Sequence, residues 1–202
     1  MVCIIDYGAG NLSSVVKAMR RLGAAPLVSS DPSKVKSARV LVLPGVGAAG
    51  DAMGRLRDLG LDRVIVDSLG RGVPFLGICL GMQVLLASSE ENGGQNCLGV
   101  VSGTVKRLPA GLKVPHMGWN QVRQQVSHPL FEGIQDSSDF YFVHSFYPDP
   151  QDRGVLAGET EYGVAFCSML VMDNIVATQF HPEKSGSQGL RLLENFLKFA
   201  KA

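Results

Sequence analysis

The sequence predicts an α/β fold: a central, mostly parallel sheet with helices on both faces and an antiparallel extension. Three observations carry this. Short apolar runs alternate with helical stretches through the first ninety residues. Those runs are apolar throughout rather than at every second position, as expected of strands buried on both faces. After about residue 100 the strand-like segments follow one another with little helix between them.

The elements follow in order. Val2 to Asp6 is a buried strand, Tyr7-Gly8-Ala9-Gly10 turns the chain, and Asn11 can cap a helix running to about Gly23. Ala25 to Ser29 and Val40 to Leu43 are the next strands, the latter broken by Pro44-Gly45-Val46-Gly47. Helices are expected near Gly50 to Asp58 and Leu61 to Leu69, a strand at Phe75 to Ile78, and a helix from Leu80 to Ser88. Val100 to Arg107, Asn120 to Gln125, Phe140 to Phe146, Val164 to Val171 and Ile175 to Gln179 read as antiparallel additions to the same sheet. Gly189 to Lys201 closes the chain as an amphipathic helix with Leu190, Leu193, Phe196 and Leu197 on one face.

Composition narrows the function. A chain of 202 residues with 46% hydrophobic content supports one well-buried domain, expected here over residues 1–202. Nineteen basic side chains against 18 acidic ones give a formal charge of +1, so neither nucleic acid nor an anionic membrane is an expected partner. No apolar run is long enough to span a bilayer, and the first residues lack the basic flank of a secretory signal, so a cytoplasmic location is expected. The four cysteines form no Cys-x-x-Cys pair, which leaves zinc and dithiol chemistry without support and free thiols as the expectation.

One of those thiols stands apart. Gly77-Ile78-Cys79-Leu80-Gly81 lies where a strand meets a helix, the pattern of a nucleophile elbow with Cys in place of Ser. The turn is sharp, so its neighbours must lack side chains, and it lifts the sulfur out at the carboxyl end of the sheet, where ligands of such folds bind. A helix N-terminus at Cys79 favours thiolate, and the Leu80 amide is a natural donor to a developing oxyanion. By itself the motif also fits a small buried hydrophobe, as Cys3, Cys97 and Cys167 do. A cysteine nucleophile needs a base and the base an orienter. In His181-Pro182-Glu183, side chains two apart in an extended segment point the same way, which sets Glu183 beside the His181 ring. His116, His128 and His144 have no such carboxylate and read as structural or peripheral.

Cys79 in Gly-Ile-Cys-Leu-Gly-Met-Gln, with Gln179-Phe180-His181-Pro182-Glu183-Lys184-Ser185 about a hundred residues later, resembles the class I, triad-type glutamine amidotransferases over essentially the whole chain. Within that class three segments are similar to the glutaminase subunits of the histidine pathway: Ile5 to Leu12, Leu43 to Gly47, and Pro115-His116-Met117-Gly118-Trp119-Asn120. The resemblance implies a flavodoxin-like fold and hydrolysis of L-glutamine through a thioester on Cys79, with His181 shuttling protons and Glu183 orienting it. It also implies oxyanion contacts from the backbone of Leu80, Val46 and Gly45, in a loop that flips to make them. Gln83 and Glu91 match positions that hold the polar ends of glutamine, and His144, Ser145 and Phe146 match a strand that binds through its backbone. The implied partner is a (β/α)8-barrel cyclase in a heterodimer, receiving ammonia through an internal channel, with Met117, Gly118 and Trp119 at the contact. Subunits that serve anthranilate, aminodeoxychorismate or guanylate synthesis share the triad. The first and third segments favour the histidine pathway over them. No Gly-x-x-x-x-Gly-Lys loop occurs, and neither a metal nor a cofactor is expected.

Overall fold

The computed structural model describes residues 1–8 and 12–201. The first half runs β1 (Val2–Ile5), α1 (Leu12–Arg21), β2 (Leu27–Ser29), α2 (Pro32–Lys36), β3 (Val40–Gly45), α3 (Ala49–Asp58), α4 (Leu61–Gly70) and β4 (Phe75–Cys79). A single turn, α5 (Leu80–Gln83), leads into β5 (Leu86–Ser89), β6 (Gln95–Asn96), β7 (Val101–Arg107), β8 (His116–Gln124), β9 (Ser138–His144) and β10 (Phe146–Pro150). The chain finishes with β11 (Leu156–Glu161), β12 (Ala165–Met172), β13 (Ile175–Thr178) and α6 (Gly186–Phe199). The Asn11 cap lies outside the described residues.

Among the described residues, nine strands form one sheet in the order β2-β1-β3-β4-β13-β12-β11-β8-β9. From β2 to β13 the pairing is parallel, and from β13 to β9 antiparallel. The inner strands are apolar throughout because both faces are covered. Cys3, Ile5, Leu41, Leu43 and Phe75 face α2, α3 and α4, whereas Ile4, Val42, Leu76 and Ile78 face α1 and α6. Helix α6 buries Leu192, Leu193 and Phe196, and Asn195 ties it down by donating to the carbonyls of Leu130 and Glu132. No helix among the described residues is long and apolar enough to cross a membrane.

Three expectations are corrected. The helix foreseen from Leu80 to Ser88 stops at Gln83, because Leu86 to Ser89 turn back as a strand beside β7. Val101–Arg107 does not extend the main sheet: it is central to a second, four-stranded sheet ordered β10-β7-β5-β6. The strand foreseen over Phe140 to Phe146 is two strands: β9 ends in the main sheet at His144, and β10 starts in the second sheet at Phe146. The chain thus changes sheets at Ser145, beside the elbow strand's end. The short helix α2 was not foreseen, although Asp31 caps it by accepting from the Ser33 amide and Pro32 occupies its first turn.

Candidate active site

Cys79 is the last residue of β4, and Gly45 of β3 is its register partner. Its backbone sits at φ 54°, ψ −108°, a region costly for any residue with a side chain. The flanking glycines permit this. A methyl group at Gly77 would lie 2.7 Å from the Gly81 carbonyl oxygen, and one at Gly81 would strike the Leu43 carbonyl of β3. Because α5 is a single turn, the helix-dipole support expected for a thiolate is small. Support comes from side chains instead. The Gln179 amide donates to Sγ at 3.5 Å, whereas the Val143 backbone carbonyl, 3.8 Å from Sγ, accepts from the thiol and favours its neutral form.

His181 and Glu183 are brought together, but not as two side chains of an extended segment. Pro182 opens a 3-10 turn over Pro182–Lys184, which folds the carboxylate back to His181 Nδ1 at 2.8 Å. Both side chains are 4% exposed. The His181 backbone is clamped from two sides: its N–H donates to the Tyr141 carbonyl, and its carbonyl accepts from Ser185 Oγ at 2.6 Å. Nε2 is buried and faces the Cys79 sulfur without an aligned hydrogen bond. Burial alone would push the ring's pKa down. The adjacent Cys79 sulfur and the hydrogen-bonded Glu183 carboxylate outweigh it and hold the value up to about 10. The imidazole therefore lies between the Cys79 sulfur and the Glu183 carboxylate, an environment that favours its protonated form.

A cavity of about 230 Å³ opens above the sulfur, lined by Val46, Gly47, Cys79, Leu80, Gln83, Glu91, Pro115, Val143, His144, Ser145 and Phe146. Eight of the site residues expected from the sequence lie in this wall. Gly45 lies behind it, where a methyl group would meet the Tyr7 hydroxyl at 2.5 Å and the Leu80 Cβ at 2.9 Å. The Val46 N–H is turned to the Tyr7 hydroxyl. Burial, then the charge of Cys79, drives that phenol's pKa upward, and the amide's hydrogen bond partly offsets the rise. Gln83 is buried rather than solvated, its Nε2 donating to the Phe146 carbonyl and to Gln179 Oε1, each at 2.8 Å. Glu91 accepts from the Ala49 amide at 2.6 Å, pinning the start of α3. Its neighbour Glu90 is exposed and points to the Arg107 amide.

Two side chains escaped the sequence. Gln179 contacts the sulfur, yet it reads as the polar end of a strand. His116 is no peripheral histidine: its Nδ1 lies 2.9 Å from Nε2 of His144, and its ring stacks on Tyr162 at 3.9 Å. The His144 Nδ1–H donates to the Phe146 carbonyl, so Nε2 accepts from His116, and burial pushes the two rings down to about 3 and about 4 respectively. His144 therefore reaches the cavity through its backbone, while its ring braces the wall. Met117 and Trp119 are 61% and 58% exposed on β8, with Gly118 half-buried between them. Val114 and Val46 are further exposed apolar side chains. Among the described residues no cluster of His, Cys, Asp and Glu has the makings of a metal site.

With this geometry in view, the chain belongs to the class-I glutamine amidotransferase family, whose model matches residues 3–199. Its relatives narrow the branch. It is 54% identical over 200 residues to imidazole glycerol phosphate synthase subunit HisH of Dehalococcoides mccartyi (strain CBDB1), covering 99% of this chain and 98% of that protein. It is 50% identical over 202 residues to the subunit of the same name from Methanothermobacter thermautotrophicus, covering both chains fully. Solved structures share the fold at lower identity. A glutamine amidotransferase crystal structure aligns with a TM-score of 0.79 at 20% identity, covering 100% of this chain and 99% of that one. The structure of PurLQS from Thermotoga maritima aligns at 0.77 with 17% identity, covering 98% and 97%.

Proposed function

We propose that this chain is the glutaminase subunit of imidazole glycerol phosphate synthase, acting in L-histidine biosynthesis in the cytoplasm as a single catalytic domain. The observation that carries the chemistry is the convergence of Cys79 on the elbow with a His181–Glu183 pair joined at 2.8 Å. The Cys79 thiolate attacks the side-chain carbonyl carbon of L-glutamine. His181 passes its Nε2 proton to the departing nitrogen, the carbon–nitrogen bond breaks, and ammonia leaves a glutamyl thioester on the sulfur. A water molecule then adds to that carbonyl and gives a proton to His181, and the carbon–sulfur bond breaks to release glutamate. Glu183 holds the Nδ1 side of the ring, so Nε2 always faces the sulfur. The Leu80 amide receives the developing oxyanion. The Val46 amide joins it by rotating away from Tyr7, a turn made easier by glycine on either side.

Gln83, Glu91 and the backbone of His144, Ser145 and Phe146 hold the substrate's polar ends, since they wall the cavity over the sulfur. The partner is the (β/α)8-barrel cyclase subunit. It docks over the stretch of β8 at Met117, Gly118 and Trp119 and takes ammonia into its channel. Large exposed aromatic and thioether side chains suit such a contact. The test is Cys79→Ala in the assembled complex. Glutamine-dependent synthesis should vanish while synthesis from added ammonium continues, because the partner performs that step. Retained glutamine-dependent synthesis in this variant would refute the assignment.

A further inference from the structure

The side-chain amide of Gln179 is fully buried, and its neighbours dictate which way round it sits. The Phe146 carbonyl can only accept, so Gln83 must turn Nε2 toward it, at 2.8 Å. The second hydrogen on that nitrogen points at Gln179, 2.8 Å away, which must therefore present Oε1. Nε2 of Gln179 is left facing Cys79 Sγ at 3.5 Å. The far end of the chain is fixed too, because the His144 Nδ1–H donates to the same Phe146 carbonyl at 2.9 Å. From the ring of His144 to the sulfur, every donor and acceptor has one consistent assignment.

We infer that Gln179 is a further catalytic residue, whose amide donates a hydrogen bond to the Cys79 sulfur and stabilises its negative charge. The inference rests on Cys79 being the nucleophile. A neutral thiol is a weak acceptor and a thiolate a strong one, so the bond is worth most when the sulfur is charged. That condition is met twice in the reaction. Before attack, the donor favours the thiolate. When the thioester is hydrolysed, the carbon–sulfur bond breaks, its electron pair returns to sulfur, and the amide already points at the atom that receives it. Gln179 thus gives the sulfur a neutral donor, beside the charged ring of His181 that faces it without an aligned bond. The neutral one keeps its proton at every pH at which the enzyme works.

The experiment uses the full chain and iodoacetamide, with labelling at each cysteine read by mass spectrometry between about pH 6 and 10 (the range over which thiols ionise). In the parent protein Cys79 should label faster than Cys97, Cys3 or Cys167. Gln179→Leu keeps the volume and removes the donor. It should slow Cys79 labelling at neutral pH by about 10-fold, the size of a lost hydrogen bond to a charged group, and meet the parent rate at high pH. Gln179→Glu keeps an oxygen for Gln83 but sets an acceptor against the sulfur, and it should be slow as well. If Gln179→Leu is folded by circular dichroism yet follows the parent pH profile, the inference is wrong. A Gln179→Glu variant that labels at the parent rate also overturns it, because Gln179 would then serve only to orient Gln83. Should Gln179→Leu fail to fold, Gln179→Met makes the same comparison. Parent Cys79 labelling no faster than Cys97 would remove the nucleophile assignment itself, a result distinct from the other two.

Discussion

Replacing Gly81 with alanine adds one methyl group, and the structure says where it goes. It lands on the Leu43 carbonyl, with the Leu43 carbonyl carbon 2.9 Å away. That carbonyl belongs to β3, held between β1 and β4 in the middle of the parallel sheet, so no side-chain rotation relieves the clash. Overpacking a well-filled core costs about 1–3 kcal/mol, and an unyielding backbone neighbour places this case near the top, at about 3 kcal/mol. For a chain of this size each kcal/mol moves the thermal midpoint by about 2–4 °C, so Gly81→Ala should melt about 6–12 °C below the parent protein. Gly54→Ala is the matched control. It lies inside α3 with nothing within 4 Å of the added methyl. There alanine should gain about 0.5–1 kcal/mol from helix propensity and a stiffer unfolded chain, raising the midpoint by about 1–4 °C. Calorimetry at one pH and scan rate measures both. A Gly81→Ala protein melting within a degree of its parent would show that the elbow is not wedged against β3, and the account of Cys79's backbone would fall with it.

Stability should decline as pH rises from about 6.5 to about 10, because folded His181 keeps a proton that the unfolded chain releases. Glu183→Gln should shrink that decline in urea titrations and lower turnover by about 10²-fold, and an unchanged pH dependence would dismiss the ion pair. Stability should also fall as pH drops from about 6.5 toward about 4, since His116 and His144 are buried neutral and the unfolded chain takes up their protons. Urea midpoints at pH 7 and 5 measure this, and His116→Phe should narrow the gap between them. Trp119→Ala should leave the thermal midpoint within about 2 °C, as a surface change does. It should weaken partner binding by about 10-fold or more in a titration, and equal affinity would take Trp119 out of the interface. Val46→Pro should reduce hydrolysis by about 10²–10³-fold while glutamine still binds, and normal turnover in a folded variant would rule the Val46 amide out as a donor.

The parallel half of the fold was legible because double burial leaves a plain trace: Val2 to Ile5, Val40 to Leu43 and Phe75 to Ile78 are apolar almost without interruption. The elbow was legible because a positive φ at Cys79 and close backbones at Gly77 and Gly81 restrict those positions to a narrow choice of residues. The second sheet was not. Alternation along Val101–Arg107 marks a strand but carries no label for the sheet it joins, and the switch at Ser145 involves a residue of no special conformational preference. Continuation of the helix past Gln83 was likewise suggested by Val84, Leu85 and Leu86, which are equally apolar in a strand, and only the pairing with β7 decides. Gln179 and the His116–His144 pair escaped for a related reason. Their importance lies in contacts across 96 and 28 residues of chain, which no local pattern encodes.

Strand β4 pairs with β3 on one side and, on the other, with β13, whose Ile175 meets Phe75 across 100 residues of sequence. Synthesis on the ribosome therefore delivers the parts of the site at very different times. Cys79 emerges early, with β3 and the first helices already available to pack against it. The segment bearing Gln179, His181 and Glu183 emerges only after the whole second sheet and the antiparallel strands have been made. Until β13 slots in beside β4, the nascent chain carries a thiol with no base beside it and an unclosed sheet edge. Such late, long-range closure makes for slow folding and a period of exposure to aggregation. On the proposed assignment of the base, an incomplete polypeptide also cannot hydrolyse glutamine.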